Sequence, residues 1–110
     1  MKNKPTKFYI MPLQITEARG IFCVHGTLNS SSATILSRHI GRYLGSDRRI
    51  VINLDRITSI DVNGASALQE LYDNAAKRNR QLTILGKTNE SVFSSLQKIN
   101  STYILGANQA

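Results

Sequence analysis

The sequence predicts a single α/β domain, and three observations carry that reading. The chain has 110 residues, enough for one packed domain, and 41% of them are hydrophobic, the ordinary globular share. The run Ile50-Val51-Ile52-Asn53-Leu54 is nearly continuous and β-branched, which suits a central strand covered on both faces. Short apolar runs alternate with longer segments whose apolar residues recur at helical spacing, the pattern of strands joined through helical crossovers.

Taken in order, residues 1–12 read as an N-terminal extension or first strand, 13–105 as the domain and 106–110 as a flexible tail. Leu13-Gln14-Ile15-Thr16 alternates apolar and polar, as a half-buried strand does. Glu17-Ala18-Arg19-Gly20 supplies a turn, with Gly20 available for a positive φ, and Ile21 to His25 completes a hairpin. Asn29-Ser30-Ser31-Ser32 is rich in N-cap residues, and Ala33, Leu36, Ile40 and Leu44 predict a helix from about Ser31 to Leu44. Gly41 weakens it and Gly45-Ser46-Asp47 ends it. After Ile50–Leu54 and the short stretch Ile57–Ile60 comes the clearest amphipathic helix, with Ala65, Leu68, Leu71, Tyr72, Ala75 and Ala76 on one face. Leu82–Leu85 is a further strand, Val92, Phe93, Leu96 and Ile99 mark a third helix, and Tyr103–Leu105 reads as a last short strand. The predicted order is β-β-α-β-α-β-α-β.

The formal net charge of +7 raises nucleic acid and anionic membranes as partners. The basic residues are scattered, however: Arg48-Arg49, Lys77-Arg78 with Arg80, and Lys2, Lys4 and Lys7. With three Phe and four Tyr and no basic stretch that interleaves them, a nucleic-acid stacking platform is not expected. A solvated basic surface, or a partner with an acidic face, fits better. No apolar run approaches the roughly 20 residues of a membrane span, and no signal-type stretch follows Met1–Thr6, so a cytoplasmic protein without membrane insertion is expected. The single Cys23 excludes an internal disulfide and, within Ile21–Val24, reads as a buried core thiol.

Catalytic constellations are thin. His25 and His39 lie on different elements without companion ligands, so no metal site is expected. Neither glycine-rich phosphate loop is present, nor a Gly-x-Ser-x-Gly elbow, and the seven acidic residues form no hydrolase dyad. No enzyme activity and no cofactor are expected. The informative place is the junction Asp61-Val62-Asn63-Gly64, where a strand hands over to the best helix. Asp61 or Asn63 can cap the unpaired N–H groups there, and Gly64, lacking a side chain, lets another surface approach closely. Asn63-Gly64 is also a pair prone to deamidation, which a capping conformation should slow.

At this junction the sequence resembles the STAS family, the domain of bacterial anti-sigma factor antagonists and of sulfate-transporter tails. Ile50–Asp55 followed by Ile60–Ala65 resembles the family's hydrophobic strand and its Asp-Ser-Ser-Gly-Leu loop, and Gly26-Thr27-Leu28-Asn29 its Gly-x-Leu-Asp step. The resemblance runs roughly from Leu13 to Leu105. It implies a mixed sheet of four to five strands with helices packed mainly on one face. It also implies a regulatory module that docks on a serine kinase, itself the anti-sigma factor, through Asp61, Val62, Asn63 and Gly64 with Ala65, Ser66 and Gln69 of the following helix. The family's phosphorylated serine corresponds to Asn63, which has no hydroxyl, so binding free of phosphate control at that loop is the expectation. The nearest hydroxyls are Ser59 and Ser66. An alternative within the family is an accessory subunit of an ABC lipid transporter, docking on its ATPase. The apolar edge from Phe8 to Ile15 suggests pairing with a second copy.

Overall fold

The computed structural model describes residues 13–45 and 49–106; the expected extension, the tail from residue 107 and most of the edge from Phe8 lie outside them. Strand β1 (Leu13–Ala18) turns at Arg19-Gly20, both with positive φ (55° and 83°), and returns as β2 (Ile21–Leu28). Two consecutive left-handed residues give the turn whose twist matches that of paired strands, and glycine holds the second at no steric cost. The remaining elements are α1 (Ser30–Gly41), β3 (Ile50–Ile60), α2 (Val62–Lys77), β4 (Leu82–Leu85) and α3 (Glu90–Lys98).

The sheet order is β1-β2-β3-β4, with β1 antiparallel to β2 and the other neighbours parallel. Phe22, Val24, Leu28, Ile50, Ile52, Leu54 and Ile84 are essentially inaccessible, packed with Leu36, Ile40, Leu68 and Leu96 from the three helices. Each such side chain contributes about 1.5–3 kcal/mol relative to exposure. The opposite face stays half-open. Cys23, His25, Val51, Asn53, Thr83 and Leu85 are intermediate there, and Ile21 is exposed. The central strand is therefore covered by helices on one face, not both, and Cys23 is half-buried outside the main core.

Three boundaries differ from the sequence reading. Helix α1 stops at Gly41, but Tyr43 and Leu44 N–H both donate to the Ile40 carbonyl (2.9 and 3.2 Å), so a tightened last turn still buries Leu44. Strand β3 continues to Ile60, using two more residues than β2 between the pairs Cys23–Asn53 and Leu28–Ile60. These irregularities put Leu54 and Ile57, three apart, both in the core. Finally, Tyr103–Leu105 is no strand: Thr102–Ile104 form a single 3₁₀ turn, and Leu105 adds one bridge to Ile84. The hydroxyl pair Ser101-Thr102 before it favours a turn, and the buried residue of the stretch is Ile104.

Candidate functional site

The carboxyl end of β3 lies one strand from the carboxyl end of β2, and the start of α2 is built across that step. Asp61 N–H donates to the Leu28 carbonyl (3.2 Å), and its extended backbone (φ −106°, ψ −177°) sets it as the N-cap of α2. Its Oδ1 accepts from Gly64 N (2.8 Å) and its carbonyl from Ala65 N (2.9 Å). Gly64 is buried, and a Cβ there would stand 2.3 Å from the Leu28 carbonyl oxygen. The close approach that glycine permits is thus internal: the helix start sits on the backbone of the neighbouring junction.

Ser95 of α3 and the cap residue Asn89 before it tie down the stretch of β3 that leads into this junction. Ser95 donates to the Ile60 carbonyl (3.0 Å). Asn89, which caps α3, reaches with Nδ2 the carbonyls of Leu54 (3.1 Å), Asp55 (3.2 Å) and Ile57 (2.9 Å). Pairing to β4 ends at Asn53–Leu85, so this amide takes over where the neighbouring strand has run out.

What this scaffold presents outward is small and uncharged at its tip. Val62 and Asn63 are exposed, Val62 at 51%, and Ser66 follows one turn on. Asp61 is exposed and Gln69 half-buried. Ala65 is fully buried, so it and Gly64 carry no side chain to the surface; both belong to the packing that fixes the site. Asn63, Ser66 and Glu70 line a groove of about 620 Å³ whose other wall is α1, including Thr34 and Arg38. On the far flank of α2 stands Tyr103, 54% exposed, its hydroxyl donating to the Asp73 carboxylate (3.0 and 3.1 Å) and its ring edge-on to Tyr72 at 6.2 Å. Gln69 Nε2 is 3.5 Å from that hydroxyl. The α1 wall and Tyr103 were missed by the sequence reading. Only the 3₁₀ turn brings Tyr103 outward, and a strand reading assigns it to the sheet.

Among the described residues no three His, Cys, Asp or Glu side chains cluster as metal ligands, and no helix is long and apolar enough to cross a membrane. His39 is half-buried against Phe22 (5.7 Å) and Tyr43 (5.7 Å), apart from His25 on the open sheet face. The arrangement presents a shaped surface of amide, hydroxyl and isolated apolar groups, with the charged groups of Asp61, Glu70 and Arg38 beside them.

A STAS domain family model matches residues 10–102. Among solved structures, the fold is similar to that of the anti-sigma factor antagonist SpoIIAA in its unphosphorylated form. The TM-score is 0.65 at 13% identity, and the match covers 88% of each chain. No curated protein matches the chain in sequence. With its strand order, its three helices on one face and a family match over most of its length, the chain belongs to the STAS family.

Proposed function

We propose that this STAS domain is a regulatory protein-binding module of the anti-sigma factor antagonist type, working in the bacterial cytoplasm on transcription and without enzymatic activity of its own. It docks on a serine kinase that is also an anti-sigma factor through Asp61, Val62 and Asn63, with Ser66 and Gln69 extending the contact along α2. The observation that supports this reading is the rigid presentation of Asn63. Its neighbours are held by Asp61 and by the Leu28 backbone, while its own side chain is exposed at the mouth of the α1–α2 groove. A carboxamide has the size of an acidic group without its charge, so position 63 stays permanently neutral. A phosphate would add about −1.5 to −2 charge at this position; with no hydroxyl to accept one, docking is constitutive at this loop.

The test is capture of partners on the immobilised chain, with Asn63→Ala and Asn63→Asp alongside, read by mass spectrometry. Wild type and Asn63→Ala retain one protein with a kinase-type nucleotide-binding domain, and Asn63→Asp retains at least tenfold less. Equal retention by all three removes the loop from the interface. Recovery of a transporter ATPase in place of a kinase would assign the same surface to the alternative role.

A further inference from the structure

Among the described residues the cations are not spread evenly over the fold, although along the sequence they look scattered. Because β2, β3 and β4 are parallel and α1 and α2 run back between them, the strand starts and the helix ends gather at one end of the domain. That end carries Arg19 in the hairpin turn, Arg42 at the end of α1, Arg49 before β3, and Lys77 and Arg78 at the end of α2, all exposed. Arg49 is steadied by Gln81, which accepts from its Nε at 3.2 Å. The carboxylate that faces them from the hairpin is Glu17, whose Oε2 accepts from Gly20 N (3.0 Å). Lys2, Lys4 and Lys7 lie outside the described residues, as do Asp47 and Arg48, which cancel in formal charge. The docking-loop end, by contrast, is mixed: it carries Arg56 and Lys87 together with Asp55, Asp61 and Glu90, all exposed.

We propose that this basic end is a contact surface for an anionic phospholipid bilayer, remote from the protein-docking loop and independent of it. Cations at the last turns of α1 and α2 would complement the helix dipoles in any protein. Arg19 and Arg49 belong to no helix, so dipole complementation does not account for the set. An exposed Ile21 (46%) follows directly on the Arg19-Gly20 turn. One apolar side chain among spaced guanidinium and ammonium groups suits a headgroup layer, where cations gain from the negative surface potential and a single hydrophobe enters the interface. A protein partner would call for a larger apolar centre. A nucleic-acid partner would call for an element aimed into a groove or for exposed aromatic platforms. The aromatic residue near this end, Tyr43, is half-buried with its ring against Phe22 and His39.

The test uses the full chain and sedimenting vesicles, of phosphatidylcholine alone or with about one-third phosphatidylglycerol, at low and high salt. Expected is binding to the anionic vesicles alone, lost at high salt as the charges are screened. A variant carrying Arg19→Asn, Lys77→Gln and Arg78→Gln should bind at least tenfold more weakly with its thermal unfolding unchanged; asparagine suits the positive φ at position 19. The control Arg56→Gln with Lys87→Gln, at the other end, should keep binding. Equal binding to neutral vesicles, no binding to either, or equal loss in the control overturns the proposal. So does displacement from the vesicles by a short DNA duplex at equal phosphate concentration, which would make the end a nucleic-acid surface.

Discussion

Two of the three strand-to-helix junctions of this fold, β2 to α1 and β3 to α2, stand side by side and solve one problem differently. At the start of α1, Asn29 accepts from Ser32 N (3.0 Å) while the Ser32 hydroxyl accepts from Asn29 N (2.9 Å) and donates to the Thr27 carbonyl (2.7 Å). This reciprocal cap is closed by a side chain with no exposed surface. At the start of α2 the cap residue is Asp61, but the third helical position is glycine, and the amide of Asp61 goes instead to the Leu28 carbonyl. The first junction is self-contained; the second leans on the first. The consequence is functional, because the exposed groups of α2 are held from behind by backbone, leaving Val62 and Asn63 free of structural duties.

The largest effect should come from breaking that lean. Gly64→Ala places a methyl group 2.3 Å from the Leu28 oxygen and 2.8 Å from its carbonyl carbon, both backbone atoms of the core layer. Neither can retreat as a flexible side chain could, so α2 must shift. The expected cost is about 3 kcal/mol, the upper range for overpacking, measured as a loss of stability in urea unfolding. A cost below about 1 kcal/mol would mean that the two junctions are not in rigid contact. Gly64 does not have a positive φ, so the penalty reports close approach alone.

Breaking the self-contained junction should cost less. Ser32→Ala removes one buried hydroxyl and leaves Asn29 N and the Thr27 carbonyl, both on half-buried residues, without that partner. About 2 kcal/mol is expected, the cost of unsatisfied buried groups, seen as a lower midpoint in urea without a change of slope. Partner capture should survive, since the Asn63 surface is untouched. Loss of capture in a folded Ser32→Ala protein would show that the α1 wall of the groove transmits to the site.

This contrast also explains what could be read beforehand. The hairpin, the β4 strand and the amphipathic face of α2 were legible because each rests on local pattern: Gly20 at the turn, Leu82 and Ile84 inward, Leu68, Leu71 and Ala75 on one stripe. The Asp61–Gly64 junction was legible through its cap and through the family resemblance. The reach of β3 to Ile60 was not, because the stretch interrupted by Asp55-Arg56 is held by Asn89, more than thirty residues later in sequence. The exposure of Tyr103 was missed for the same reason, because it depends on what packs across from it, whereas Ala65 was read on the apolar stripe and only its second assignment, to the docking surface, fails. The clustering of cations at one end follows from the parallel topology, and no spacing along the chain announces it.

The smallest effect discriminates most finely between capping and recognition. Deamidation of Asn63 requires the Gly64 nitrogen to attack the Asn63 side-chain carbonyl, and that N–H is engaged by Asp61 Oδ1 at 2.8 Å within the first turn of α2. Burial of Gly64 against Leu28 further restricts the backbone rotation that the cyclic intermediate needs. Asp61→Ala frees this amide at a stability cost of about 1 kcal/mol, typical of a lost N-cap. On prolonged incubation the variant should gain about one dalton at Asn63 faster than the wild type, followed by intact mass and peptide mapping. Capture of the partner, scored against the same Asp61→Ala protein before incubation because Asp61 itself belongs to the docking surface, should decline in step, since the product places a carboxylate where the neutral amide stood. Equal rates in the two proteins would mean that the packing of Gly64, and not the Asp61 cap, protects the pair. A gain in mass without loss of capture would separate Asn63 from recognition altogether.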